Sequence, residues 1–504
     1  MNAKNPPSHD STRAPTGIEG LDRILGGGLT PHRVYLVEGT PGTGKTTLAL
    51  QFLLEGVRRE EPGLYITLSE TAEELSAVAA THGWSLEPRL LFELVNQTDL
   101  NPESEQTILH PSEVELGETT HGVMNRVDEL RPSRVVFDSL SEMRLLAQNP
   151  LRYRRQILTL KQFFASRACT VLMLDDRTSD ANDLQLHSIA HGVISLEQSA
   201  REFGTERRRL RVVKMRGIKF RGGYHDFILE RGGLAVFPRL VAAEHHAEYS
   251  PRANSTGNKE LDLLLGGGLP PGTNTLLSGP SGVGKTTTAM ACIFAALSRD
   301  AKATYFLFDE GISTLLLRSK ALGMDLSPFI DRGQLDIQQI DPAELSPGEF
   351  ASRARMSVEQ HGSSYVGIDS LNAYLQAMPG EQYLLLQMHE LLSYLNQSGI
   401  TTLLVLGQHG MIGGMRSDID LSYLSDAILL FRFFEAQGEV RTAISAIKSR
   451  TSAHERSIRE FKLTARGLEV GPALRDFEGV LTGLPSYKGG TALLASSSAE
   501  PRRR

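Results

Sequence analysis

Two glycine-rich octapeptides leave this chain little choice of architecture. Gly39-Thr40-Pro41-Gly42-Thr43-Gly44-Lys45-Thr46 and Gly279-Pro280-Ser281-Gly282-Val283-Gly284-Lys285-Thr286 both fit G-x-x-x-x-G-K-[ST], the phosphate-binding loop. Glycines leave backbone N–H groups free to wrap polyphosphate oxygens, the lysine reaches the terminal phosphates, and the threonine hydroxyl ligates Mg²⁺. An apolar run precedes each loop (Val34-Tyr35-Leu36-Val37; Thr275-Leu276-Leu277). A helical pattern follows, opening with Thr47 and Thr287. Strand, turn and helix N-terminus together converge amides and helix dipole on an anion. We therefore expect Gly39 to Thr47 and Gly279 to Thr287 to bind ATP, with Thr46 and Thr286 on the metal.

The repetition extends beyond the loops. Thr16-Gly17, Leu21-Asp22 and Gly26-Gly27-Gly28-Leu29 recur at one spacing as Thr256-Gly257, Leu261-Asp262 and Gly266-Gly267-Gly268-Leu269. Self-similarity at that period means a duplicated domain. With 504 residues there is chain enough for both copies. The expected order is a flexible segment 1–13, a first domain 14–241, a polar linker 242–253, a second domain 254–485 and a disordered tail 486–504. In each half, apolar strands alternate with helical patterns. That predicts an α/β fold, a mostly parallel sheet covered by helices. The expected strands are 34–38, 64–68, 134–138, 170–174, 192–196 and 209–214, then 275–278, 304–308, 365–369, 401–406, 427–431 and 442–448.

Ligands in such sheets lie beyond the carboxyl ends of the strands. There the sequence places Ser69-Glu70 and, equally far from the second loop, Asp309-Glu310. Glu70, Asp309 and Glu310 can orient or deprotonate a nucleophile at the γ-phosphate, whereas Ser69 reads as a helix cap. Two further strands end in acid, Val135-Val136-Phe137-Asp138 and Val366-Gly367-Ile368-Asp369. Asp138 and Asp369 are expected to hold Mg²⁺ directly or through water, with Asp309 beside the metal of the second site. The last expected strand of each half carries Lys214-Met215-Arg216 or Lys448-Ser449-Arg450, without an obvious acidic mate. Spacing leaves two readings open: cations reaching a neighbouring subunit's nucleotide, or a basic, protected edge strand.

At this point the chain resembles the KaiC family, tandem RecA-like ATPases and autokinases. The T-G-x₃-L-D-x₃-G-G-G-L lead-in, the strand-tip acids and the Lys-x-Arg strands carry the resemblance over residues 14 to about 485. It implies two RecA-like P-loop NTPase domains, ATP and Mg²⁺ as cofactors, and a homo-oligomeric ring, a hexamer. It further implies that Lys214, Arg216, Lys448 and Arg450 act in trans, that unidentified signalling proteins are partners, and that the C-terminal domain phosphorylates itself on Ser422. Departures are visible: Ser69 and Asp309 stand where the family has its first glutamate, Thr451 where it has glycine, and Leu322 where it has an adenine-stacking tryptophan matched by Trp84 in the first half. Tyr423 follows Ser422 where the family has threonine. The Asp309-Glu310 pair, set against Ser69-Glu70, leads us to expect a greater loss of turnover on removing Glu310 than Glu70.

Two other functional classes fit parts of the sequence. A DNA-dependent RecA-like ATPase needs a basic groove, and residues 201–221 are basic, but the net charge of −6 provides no general attraction for nucleic acid. A nucleotide-gated scaffold would use slow hydrolysis only to time partner binding. The N-terminus lacks an apolar signal segment, and the two cysteines, Cys169 and Cys292, sit in apolar runs, so the expected location is the cytoplasm.

Overall fold

The apolar runs that lead into the phosphate loops become the central strands of two sheets. The computed structural model describes residues 13–86, 92–95, 112–147, 149–177, 184–200, 204–376, 383–408, 422–465, 467–482 and 486–487. It divides into two compact units, Met1–Arg239 and Leu240–Arg504. The first unit holds β1 (Val34–Gly39), β2 (Gly63–Thr67), β3 (Phe92–Val95), β4 (Arg134–Asp138), β5 (Thr170–Asp176), β6 (Gly192–Ser199), β7 (Arg207–Met215), β8 (His225–Glu230) and β9 (Gly233–Phe237). The second holds β10 (Asn274–Gly279), β11 (Ala303–Leu307), β12 (Leu335–Gln339), β13 (Tyr365–Asp369), β14 (Thr401–Gly407), β15 (Ala427–Ala436), β16 (Glu439–Ser449), β17 (Ile458–Thr464) and β18 (Gly467–Ala473).

Strand order is β3-β2-β4-β5-β1-β6-β7-β8-β9 in the first sheet and β12-β11-β13-β14-β10-β15-β16-β17-β18 in the second. From β3 to β6, and from β12 to β15, neighbours run parallel. The remaining strands form an antiparallel meander. Each unit is thus a RecA-like α/β domain with a mostly parallel sheet. The central strands are apolar on both faces because helices cover both. Tyr35 and Val37 of β1 pack in the layer of Leu48 and Phe52, whereas Val34 and Leu36 pack in that of Ile157 and Phe164. Leu277 and Leu276 of β10 divide in the same way, toward Met290 and Ile293 or toward Phe350 and Leu395.

Two expectations change. Lys-x-Arg does not lie on the last strand of either half, because two antiparallel strands follow it. β7 and β16 are therefore interior, not protected edges. Strands such as β8 bury alternate residues only, so they lack the continuous apolar run that marks the parallel core. At the start of the second unit, Leu240 and Ala242 are buried in its core, and the Ala242 N–H donates to Glu390 at 3.2 Å. Ser486–Tyr487 pairs with Phe477–Glu478. Residues 1–12 and 488–504, expected to be flexible, lie outside the described residues. Cys169 and Cys292 are free and buried; burial pushes their thiols up to about 11 and about 12. Among the described residues, no helix is long and apolar enough to cross a membrane.

Candidate active sites

Each phosphate loop ends in a glycine with left-handed backbone, Gly44 at φ 96° and Gly284 at φ 97°, which caps the following helix. Any other residue would be strained there, and a Cβ on Gly44 would come within 3.1 Å of the Leu229 side chain. The helices Lys45–Arg58 and Lys285–Leu297 then present their unpaired N–H groups to the loop. Both loop lysines are buried and turn back on the loop itself. Lys45 Nζ donates to the carbonyls of Gly39 and Thr40 at 3.0 Å each, and Lys285 Nζ donates to Pro280 at 2.6 Å. Burial lowers the Lys285 ammonium to about 8. In the second unit the loop opens onto a cleft of about 610 Å³, whose walls include Lys285, Thr286, Asp309, Glu310, Leu322 and Asp369. The departure at Leu322 therefore sits at the cleft. In the first unit Trp84 rests 4.9 Å from the ring of His82, and His82 Nε2 meets the Thr47 hydroxyl at 3.2 Å.

The strand-ending acids meet the loop threonines as their spacing predicts. The Thr46 hydroxyl acts to lower the Asp138 pKa, and the Thr286 hydroxyl that of Asp369. Each acid also accepts from a buried tyrosine on the adjoining strand: Tyr65 to Asp138 at 2.5 Å and Tyr305 to Asp369 at 2.8 Å. Burial raises the pKa of both carboxyls, against the lowering effect of these hydroxyls. Hard oxygen donors around a carboxylate stripped of water suit Mg²⁺, which is commonly held by one or two carboxylates plus phosphates and water. The residues present fit that ion.

The strand-tip acids differ between the units. Ser69 does not cap the next helix. Thr71 does, accepting from the Glu74 N–H at 3.2 Å while Glu74 reaches back to the Thr71 N–H at 2.8 Å, a complete capping box. Thr67 pins the preceding turn, its hydroxyl accepting from the Glu70 N–H at 2.9 Å. Glu70 Oε2 is buried and has no hydrogen-bond partner among the described residues. Burial, then the charges of Asp138, Glu74 and Asp176, raise the Glu70 pKa. In the second unit Asp309 is exposed and accepts from Ser370 Oγ at 2.5 Å. Glu310 is instead held by both Arg318 nitrogens at 2.9 Å.

The Lys-x-Arg residues occupy equivalent places. Lys214 Nζ donates to the carbonyls of His187 and of Ala190, the latter at 3.0 Å, and Arg216 donates to Ser188 at 2.9 Å. Lys448 donates to Ser425 at 2.8 Å, and Arg450 to Tyr423 at 3.4 Å. Arg450 also has an acidic mate that its sequence surroundings did not suggest, Asp426 at 3.5 Å. Burial and the charges of Arg216 and Lys161 push the Lys214 ammonium down. Ser422 opens the short turn Ser422–Leu424, and residues 417–421, which the sequence placed before it, lie outside the described residues. Counted back from the paired starts of β6 and β15, Ser422 corresponds to His187 of the first unit.

Four contributors escaped the sequence reading. Asp176 lies beside the loop because β5 pairs with β1, and it forms a 2.7 Å ion pair with Lys45; its counterpart by register is Gly407. Arg318 comes from the next helix, and its counterpart is Val78. Tyr65 and Tyr305 recur at the same spacing as the loops, a signal the repeat itself contained. Part of the basic run 201–221 is matched by acid: Arg208 by Glu206, Arg209 by Asp226 and Arg211 by Glu197, at 3.0, 3.6 and 3.9 Å.

Known proteins agree with this construction. A family model described as "ATPase: KaiC" matches residues 14–241 and again 254–475. The chain is 26% identical over 482 residues to the circadian clock protein KaiC3 of Synechocystis sp., covering 94% of each chain. It is also 26% identical to the circadian clock oscillator protein KaiC of Parasynechococcus marenigrum, over 495 residues and 95% of each chain. The KaiC of Synechococcus elongatus is likewise 26% identical over 479 residues, 94% of this chain and 91% of its own. Two phosphate loops in two RecA-like units, matched twice by one family model along nearly the whole sequence, place this chain in the KaiC family of ATPases.

Proposed function

We propose that each unit binds Mg²⁺–ATP and turns it over at a subunit interface of a ring, a hexamer, and that the two units do so unequally. Lys45 and Lys285 meet the terminal phosphates. Thr46 with Asp138, and Thr286 with Asp369, hold the cation, which neutralises charge on the β- and γ-oxygens when bound. Lys214, Arg216, Lys448 and Arg450 exchange carbonyl partners for the neighbour's phosphates, because a charge-assisted bond to phosphate is stronger than one to a neutral carbonyl.

The observation that carries the inequality is Glu70 Oε2, buried, unpartnered and raised in pKa beside the loop. A carboxylate tuned upward is a better general base near neutral pH, and one oxygen of this one has no partner among the described residues. Glu310 has both oxygens engaged by Arg318. The first unit is then the faster hydrolase, the reverse of the order expected from the acid pair in the sequence. In this reading Asp309, exposed at the strand tip, accepts the hydroxyl proton of Ser422 from the adjacent subunit. The bond from the γ-phosphorus to the bridging oxygen breaks, the bond to Ser422 Oγ forms, and ADP leaves.

Single-turnover hydrolysis tests the order. With Lys285→Ala leaving the first site and Lys45→Ala leaving the second, Glu70→Gln lowers its site's rate by about 10²–10⁴, with ATP still bound. Glu310→Gln lowers its own site's rate by less. Equal losses, or a larger one for Glu310→Gln, would refute the assignment.

A further inference from the structure

At the helical position of Arg318 the first unit has Val78, which packs against the core. It lies near the end of the helix Ile312–Ala321 and reaches back toward the strand tip. Its two terminal nitrogens meet the two oxygens of Glu310 at 2.9 Å each. This is the fork-to-fork arrangement that gives arginine–carboxylate pairs both strength and fixed geometry. The pair lies on the wall of the cleft that holds Lys285, Thr286 and Asp369. Glu310 is 21% exposed and Arg318 37%, so the pair is only partly screened by solvent.

We propose that Arg318 is a positioning residue of the C-terminal site: it clamps Glu310 in cis and withholds that carboxylate from the nucleophile. This rests on the reading of Glu310 as an acid that serves γ-phosphoryl transfer. A carboxylate gripped on both oxygens must release at least one before it can accept a proton in line with the phosphorus. The clamp therefore lowers the fraction of bound ATP poised for reaction. It acts within the chain, so it slows the site whatever the neighbouring subunit supplies. In the first unit Val78 at this position offers no such brake on Glu70, and among the described residues no arginine forks that carboxylate. The duplication thus yields one site arranged to hydrolyse and one arranged to hold ATP.

The test uses the full-length chain carrying Lys45→Ala, loaded with γ-labelled ATP and Mg²⁺. Released phosphate and protein-bound phosphate are followed together in single turnover, per bound ATP. Breaking a partly exposed bidentate pair should raise the rate about tenfold in Arg318→Met. Arg318→Lys, which offers one ammonium in place of a fork, should give a smaller rise. Added to Glu310→Gln, Arg318→Met should give no rise, a dependence that a merely structural role for Arg318 would not produce. Turnover in the parent protein without a gain in Arg318→Met, or a gain that persists with Glu310→Gln, overturns the clamp alone. Turnover in neither protein, with ATP bound to both, overturns the clamp together with the reading that this unit uses ATP.

Discussion

Acid should loosen the first unit through a single histidine. His225, at the start of β8, is 1% exposed and its ring is fixed as the neutral form. Nδ1 accepts from the Arg239 N–H at 2.8 Å, so Nε2 carries the proton it donates to the Arg221 carbonyl at 3.0 Å. Burial, reinforced by the charges of Arg239 and Arg221, lowers its pKa from 6.5 to about 4. The folded state therefore resists a proton that the unfolded chain accepts. The contribution is complete above pH 6.5 and is lost as the pH falls toward 4. At 1.36 kcal/mol per unit, the shift is worth about 3 kcal/mol in full, and about 2 kcal/mol has gone by pH 5. The chain's one tryptophan, Trp84, lies in this unit, so its emission during urea unfolding reports on it selectively. Wild-type protein should lose about 2 kcal/mol more than His225→Gln between pH 7 and pH 5. Parallel pH dependences for the two proteins would show that the buried ring does not carry the effect.

Arg216→Ala and Arg450→Ala should leave ATP bound to the same chain while cutting turnover at the neighbour's site by about 10³ or more, as for loss of an arginine finger. Native mass spectrometry on the same samples should show ATP-dependent rings; monomers at saturating ATP and Mg²⁺ would refute the trans role. Phosphopeptide mapping after hours with ATP should find phosphate on Ser422 and none in Ser422→Ala. An unmodified Ser422 in a preparation that hydrolyses ATP would leave a pure ATPase.

The sequence disclosed whatever local spacing encodes. Loops, strand-ending acids and paired cations are contiguous motifs, and duplication printed each of them twice. Residues brought in by topology stayed hidden. Asp176 matters only because β5 lies next to β1, which no spacing along the chain announces. Arg318 looks like any basic residue near a helix end until its long side chain is seen turning back to Glu310. The misassigned cap is different, since Thr71-Ala72-Glu73-Glu74 spells a capping box that outranks Ser69 on its own terms. Strands β17 and β18 escape a sequence reading because a half-buried meander spreads its apolar residues thinly, as in Ile458-Arg459-Glu460-Phe461; β3, β8, β9 and β12 were not expected either. A core strand groups them in one run.

The matched register of the two sheets makes this chain its own reference. Gly39 pairs with Asp176 as Gly279 pairs with Gly407, and Thr67 pairs with Asp138 as Leu307 pairs with Asp369. Side chains can thus be exchanged between halves at positions whose backbone is already alike. Val78→Arg would graft the second unit's clamp onto the first, and Gly407→Asp would give Lys285 the partner that Lys45 has. Such grafts compare two sites at identical concentration, in one assembly and one buffer, a control that separate homologues cannot provide. Divergence after duplication has in effect already run the substitution series, one copy against the other.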